Sequence, residues 1–409
     1  MHTQTQERAT TTLYIYCNIH TTHIYFNIPI SYQEFVFSDV GETNYDYFGS
    51  DIAISGDGMF MAVGSYLGNP NNLTDAGYVR LYNKSGTSWS MIQQINGTTS
   101  YDYFGWSLDL SNDGSVLAVT SYNGAARVYE LFGSPSLYTL LAAADDIDAW
   151  EVAVSGDGSV AGFTSSNSSI GVRIFERNGG VIQQRGTDIL GYGYWSGIGL
   201  NYDGTIAIIG DYAWPNFNYI GRIGVFQWKD GNGDGAMQWM QMGSDIIGGA
   251  TNEYLGLYGS VSITHDGLIV AVGGEGYGGD GLQSRGRVRV YNYEVTKDTW
   301  IQSGFDLVGD NAYDAFSIPS LSSDGAYLAV GAYNGTYVKM FERNGSNYEI
   351  VEDTFIGEEG GGFGWSIDMS ADGSAIAISD WLLNNGTGGA YLYDTFLSSQ
   401  TEVSSRKCG

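Results

Sequence analysis

The stretch YDYFGWSLDLSNDGSVLAVTSYN, Tyr101 to Asn123, decides the fold. Phe104 to Leu110 alternates as a strand does, with successive side chains on opposite faces. Ser111 to Gly114 is a tight hairpin turn, because Asp bonds nearby amides through its side chain and Gly accepts positive φ. Ser115 to Thr120 and Ala126 to Leu131 are the next two strands. The core of this unit, a small polar residue, any residue, then Asp-Gly, recurs with Asp at 57, 113, 157, 203, 266, 324 and 372. The gaps are 56, 44, 46, 63, 58 and 48 residues. A period near fifty with paired strands and a turn in each copy predicts a seven-bladed, all-β propeller of four-stranded antiparallel blades.

The fourth strand of each blade carries a Trp or Gln signature: WSMIQQ from Trp89, VIQQ from Val181, QWMQ from Gln238 and TWIQ from Thr299. Sliding the chain by 56 residues lays Tyr32 to Gly49 on Ser88 to Gly105, with YDYFG matching in full. Gln33 to Val40 therefore holds the place of an outer strand with no blade before it. The last blade, ending near Tyr393, lacks that strand. An open edge invites aggregation, so Gln33 to Val40 is expected to pair beside strand c near Tyr391 and close the ring. The domain reading is an N-terminal extension at 1–30, a propeller at 31–396 and a tail at 397–409.

Composition agrees. The 409 residues include 60 Gly, about twice the usual share, and 43% are hydrophobic. Lys and Arg number 17 against 45 Asp and Glu, a net charge of −28, so the basic footprint that nucleic acid requires is missing. An acidic protein attracts cations such as calcium. No apolar run is long enough for a membrane span, and the first thirty residues lack the regions of a signal peptide. Seven Asn-x-Ser/Thr sequons, at Asn72, Asn83, Asn96, Asn167, Asn334, Asn344 and Asn385, favour an extracellular or cell-surface protein, with the cytoplasm as the alternative.

Phe-Gly opens three units nine residues before the turn Asp, at Phe48-Gly49, Phe104-Gly105 and Phe363-Gly364. The following apolar strand ends in Gly64-Ser65-Tyr66 or Gly331-Ala332-Tyr333. This pattern resembles the FG-GAP repeat of integrin α-subunit propellers and their microbial relatives, with Tyr in the Pro slot. Units three, four and five depart from it, with Asp148-Ala149, Tyr194-Trp195 and an early Leu255-Gly256. The turn followed by Leu-Ala-Val and Val-Arg-Leu-Tyr is also similar to WD repeats, although their Gly-His and Trp-Asp dipeptides are missing. Both resemblances imply a propeller that binds partners, and a monomer is expected.

The resemblance to integrin-like propellers implies calcium in DxDxDG insertions between strands a and b, and no such insertion is present here. Asp230, Asn232 and Asp234, followed by Gly235, do place oxygen side chains at alternate positions, which makes this c–d loop the candidate Ca²⁺ site. Cys17, His20 and His23 have no fourth ligand nearby and do not read as a zinc site. Cys17 and Cys408 lie near the two termini, either as free thiols or as a pair. No nucleophile elbow, phosphate-binding loop or dinucleotide-binding pattern is present, and no catalytic set is assigned.

The candidate ligand face lies where strand b exits. Nine residues after the turn Asp stand Tyr66, Tyr122, Tyr212, Tyr333 and Trp381, with Ser166 and Glu275 breaking the series. Long b–c loops add Trp214, Phe217, Tyr219 and Tyr277, together with Asn71, Asp75 and Asp280. The d–a loops bring Asp46 and Asp102 to the same face. Aromatic planes beside Asp, Asn and Gly suit a protein segment or a carbohydrate. The alternatives are a glycan-acting enzyme using acids such as Asp211, Glu275 and Asp380, and an intracellular interaction scaffold.

Overall fold

A computed structural model describes residues 33–395 apart from 123–124, 134–136, 145–146, 166, 168, 179–180, 194, 232 and 359. The zinc-like Cys17, His20 and His23, the Cys17–Cys408 pair and the two terminal segments lie outside the described residues.

Strand a runs down the inside of each blade, and b, c and d follow outward in antiparallel order. Blade 1 comprises Phe48–Ile54, Phe60–Ser65, Tyr78–Ser85 and Ser88–Asn96. Seven such sheets form among the described residues, and blade 4 carries an extra short strand, Ile246–Ile247. Blade 7 consists of Phe363–Met369, Ala375–Asp380 and Gly389–Thr395, and its fourth strand is Gln33–Val40. Ser38 lies opposite Tyr391, as the sequence offset requires. The same strand also grips blade 1. Arg80 donates to Val40 O at 2.9 Å and to Asp39 at 3.1 Å, and the Tyr82 hydroxyl donates to Asp39 at 2.6 Å.

The apolar clusters fill the seams between blades. Phe48, Ile52 and Tyr78 of blade 1 pack with Ala377 and Leu392 of blade 7. Phe104 and Leu108 of blade 2 pack with Val79 and Leu81 of blade 1. Glycine is required where these seams are tightest. A Cβ on Gly64 would lie 2.3 Å from Gly105 O, and one on Gly331 would lie 2.3 Å from Gly364 O. Blade 2 has Thr120 at the position of Gly64, and its hydroxyl instead donates to Trp150 O at 2.9 Å.

The a–b turns explain their own sequence. In the first, Ser55 Oγ donates to Asp57 at 2.5 Å and accepts from Phe60 N at 2.9 Å, while Gly58 takes φ 67°. The carbonyl of the variable residue between Ser and Asp accepts the contact between blades, and the donor is that residue's own amide or, in blades 1 and 3, the Asp amide. Asp57 N donates to Asn112 O, Asn112 N to Gly156 O and Asp157 N to Tyr202 O, each at 2.9 Å. Tyr202 N then donates to His265 O at 3.1 Å, and His265 N to Ser323 O at 2.9 Å. Ser323 N donates to Ala371 O and Ala371 N returns to Gly56 O, both at 2.8 Å. Seven backbone bonds thus close a ring around the lower end of the channel.

Gly64→Ala is expected to cost about 1–3 kcal/mol, because the added methyl meets backbone that has no room to move. Gly86→Ala, in an open hairpin at φ 62°, should cost about 1 kcal/mol from backbone strain alone. Chemical denaturation of both variants checks this, and equal losses would contradict the seam packing.

Candidate functional site

Strand a descends and strand b returns, so the b–c and d–a loops gather at the upper end of the channel. Asp46 and Asp102 belong to these loops but are not available to a ligand. Asp46, 1% exposed, accepts from Glu42 N and Thr43 N at 2.9 Å and from the Tyr78 hydroxyl at 3.3 Å. Asp102 is ion-paired with Arg127 at 3.2 Å. Asp314 caps the equivalent loop of blade 6, accepting from Asp310 N and Asn311 N. These carboxylates hold loops whose tyrosines adopt left-handed backbone: Tyr45, Tyr47, Tyr101, Tyr103 and Tyr313 have φ between 51° and 67°. Each such residue costs about 1–3 kcal/mol, and the loops of the preceding blade hold the conformation. Tyr101 N donates to Thr74 O at 2.8 Å and Tyr103 N to Asp75 O at 3.1 Å.

Within this face a cavity of about 370 Å³ opens into the channel. A belt of rings in mutual contact runs along it, with Tyr66, Trp106, Tyr258, Trp365 and Trp381 on the lining and Tyr47 and Trp150 linking them from behind. Trp106 meets Tyr66 at 4.9 Å, Tyr66 meets Tyr47 at 5.8 Å, and Tyr47 meets Trp381 at 5.2 Å between centroids. Trp381 stacks on Trp365 at 4.5 Å, and Trp365 reaches Tyr258 at 6.2 Å. Trp150 closes the circuit, 6.0 Å from Tyr258 and 4.9 Å from Trp106. Of the expected face residues, Tyr66, Tyr333 and Trp381 line the cavity and Tyr122 packs behind it on Trp106 and Trp150. The belt's three other tryptophans were not anticipated. Trp106, Trp150 and Trp365 each stand seven residues before the turn Asp, and FGWS at 104–107 and 363–366 was the available signal.

The remaining expected aromatics do not join this mouth. Tyr212, 7% exposed, stacks on Tyr219 and packs with Leu257 in the seam between blades 4 and 5. Trp214 lies over the Arg222 guanidinium at 5.5 Å and Tyr277 over Arg287 at 4.0 Å. Phe217 is 64% exposed at a loop tip. Asp211 and Asp380 do not form an acid pair with Glu275. Asp211 binds Arg222 at 3.0 Å, and Asp380, buried, accepts from Gly362 N at 2.6 Å. Only Glu275 faces the cavity, where it accepts from the Tyr333 hydroxyl at 2.7 Å.

Four further carboxylates line the channel: Asp51, Asp109, Glu151 and Asp368. Strand a is the inner edge of every blade, so its amides have no strand to pair with. Asp51 accepts from Leu108 N of blade 2 at 2.8 Å, and Asp109 from Val154 N of blade 3 at 2.6 Å. Asp368 accepts from Ile54 N of blade 1 at 2.8 Å. Each aspartate therefore satisfies an edge amide of the next blade. Burial raises all four groups above the ordinary carboxylate range, Asp368 to about 7, and Asp51 adds to the rise in Glu151. Toward the lower end, Asn112 Nδ2 and His265 Nε2 meet at 3.0 Å, joining blade 2 to blade 5 across the channel.

The candidate calcium loop is at that lower end, between strands c and d of blade 4. Asp230 accepts from Gly233 N at 2.7 Å and Gly235 N at 2.9 Å, and Asp234 from Ala236 N at 2.8 Å. Asn232 lies outside the described residues. Of the sequon asparagines, Asn72, Asn167, Asn334, Asn344 and Asn385 are exposed, while Asn83 and Asn96 are half-buried. No described helix is long and apolar enough to cross a membrane.

No protein-family model matches the chain, and no curated protein matches it in sequence. Solved structures do match in fold. The β-propeller domain of Cps50 (Swd1) from Myceliophteria thermophila is 11% identical with a TM-score of 0.60, covering 89% of this chain and 99% of that one. Hydrazine synthase from Kuenenia stuttgartiensis is 13% identical with a TM-score of 0.61, covering 88% and 98%. A functionally unknown protein from Desulfotomaculum acetoxidans is 18% identical with a TM-score of 0.53, covering 81% and 88%. At these identities the likeness establishes a propeller fold and nothing finer.

The channel acids give stability a pH dependence of defined sign. Asp368 has a folded value of about 7 against 3.8, so the folded state retains a proton that the unfolded chain has released. That contribution is complete below the unfolded value and is lost as pH rises through the folded one; Asp51, Asp109 and Glu151 act in the same sense. In the turns, burial also raises Asp113, Asp203 and Asp372, but bonds from Ser115, Thr205 and Ser374 outweigh it and leave them low. Their stabilisation is lost only as pH falls below the ordinary range. His265, lowered by burial, opposes the four acids. The melting temperature is expected to peak near about pH 4–5 and fall toward pH 8, with Asp368→Asn flattening the fall. A steady rise from pH 5 to pH 8 would contradict the burial of these acids.

Proposed function

We propose that this chain is a non-enzymatic binding module of the FG-GAP kind that captures a protein or carbohydrate partner on its upper face. The observation that carries the reading is the aromatic belt along an open cavity. Large, rigid rings at the centre of a concave face are what binding hot spots are made of. The FG-GAP assignment is supported by the seams, where the glycine of Gly-Ser-Tyr packs on the backbone of the next Phe-Gly. The acidic charge and the five exposed sequons support a place outside the cell or at its surface.

A glycan-acting enzyme is the second reading, favoured by Glu151, an acid raised by burial and then by the neighbouring Asp51. The fold does not separate the two readings, since one similar structure is a hydrazine synthase. Against catalysis, Asp51, Asp109 and Asp368 are committed to backbone amides. Hydrolysis of any chromogenic glycoside that disappears in Glu151→Gln would reverse the preference. Calcium belongs to the proposal only at Asp230–Gly235, where the ion must displace two amides from Asp230. A calcium-dependent rise in melting temperature that Asp234→Ala abolishes is the expected result, and no rise removes calcium.

A glycan array and a capture assay on intact cells test the face. Trp381→Ala should weaken capture roughly tenfold or more. Trp214→Ala should leave it unchanged, because Trp214 covers Arg222 away from the mouth. Equal effects from the two variants, or none, would contradict the proposal.

A further inference from the structure

The cavity has a chemical bias that the belt alone does not reveal. Among the described residues five carboxylates line it and no Lys, Arg or His does. Three of the five, Asp51, Asp109 and Asp368, hold edge amides of the neighbouring blades. Glu151 and Glu275 are less committed. Glu151 accepts only from Ser107 Oγ at 3.3 Å, and Glu275 only from the Tyr333 hydroxyl at 2.7 Å, among the described residues. Both lie near Tyr258, whose phenol is pushed up to about 12 by burial and then by these two acids.

We infer that the cavity is a receptor for a primary alkylammonium group, which donates to Glu151 and Glu275 while its stem lies against Trp106, Tyr258 and Trp365. The inference rests on the reading of the upper face as a binding face and names the chemistry at its centre. An ammonium carries three donors and no acceptor, which matches the two less committed carboxylates, Glu151 and Glu275. Ring faces attract cations, and a low-dielectric pocket strengthens the attraction. Anions are excluded by charge. Among the described residues no three His, Cys, Asp or Glu side chains converge closely enough to hold a metal ion, so an inorganic cation fits poorly. The group arrives either on a free amine or as a lysine side chain of a partner.

The acids that face Glu151 and Glu275 are Asp51, Asp109 and Asp368, with the Tyr258 and Tyr333 hydroxyls beside them. Burial raises these carboxyls, Asp368 to about 7, so an entering ammonium draws them toward their charged forms and releases protons.

Calorimetry of the full chain with n-butylammonium, n-butanol and Nα-acetyl-lysine methylamide tests this. The ammonium should bind at one site, release protons between pH 6 and 7 and bind more tightly at pH 8 than at pH 5. Glu151→Gln and Glu275→Gln should each weaken it at least tenfold at an unchanged fold, checked by melting. Binding of the lysine probe assigns the group to a protein partner, and its failure beside a binding amine assigns it to a free amine. The inference is overturned if butanol binds as well as butylammonium, if neither Gln variant weakens binding, or if no ammonium binds. Loss of partner capture in Trp381→Ala without ammonium binding would keep the face and discard the inference. Ammonium binding with capture intact in that variant would discard the face and keep the cavity.

Discussion

Seven backbone hydrogen bonds, running turn to turn around the lower end of the channel, are the constraint on which the structure depends. Each a–b turn gives its amide to the next turn and accepts from the one before, so every turn must stand at one height. The Ser-x-Asp-Gly sequence satisfies this demand. Ser and Asp bind the turn's own amides, Gly takes the positive φ, and the middle residue is left free to bond outward. Gly56, Asn112, Gly156, Tyr202, His265, Ser323 and Ala371 all serve in the middle position as acceptors, because only their backbone is needed.

With the lower end fixed, the inner strands stand parallel to the channel with one edge unpaired. A buried amide without a partner costs as much as a lost hydrogen bond, and water in a narrow channel is a poor substitute. Asp51, Asp109 and Asp368 answer that cost from one blade to the next. Their own desolvation is the counter-cost and holds their protons on. The same strands carry Trp106, Trp150 and Trp365 one step above, so the seam-forming element also builds the mouth.

The fold was legible because its signals are local: a turn every fifty residues, an alternating run before it, and the YDYFG copy at Tyr45 that identified Gln33–Val40 as the closing strand. The site was legible only in part. Tyr66, Tyr333 and Trp381 follow from the repeat offset, and they do reach the cavity. Tyr212, Trp214 and Tyr277 have equally good positions in the chain, but Arg222 and Arg287 on strand c draw two of them aside and a seam takes the third. The channel acids were missed because they do not share a register. Asp51 and Glu151 stand six residues before the turn Asp, whereas Asp109 and Asp368 stand four before it. Asp51 and Asp109 hold amides of the next blade 57 and 45 residues away, and Asp368 holds one 314 residues away, which no local pattern reports.

If the ring of turns is a single cooperative unit, its seven amides cannot open one at a time. Native-state hydrogen exchange at Asp57, Asn112, Asp157, Tyr202, His265, Ser323 and Ala371 measures this directly. All seven are predicted to exchange only through global unfolding, with one common free energy and one common response to denaturant. Exchange of any of them through a cheaper local opening, with the others still protected, would contradict the account.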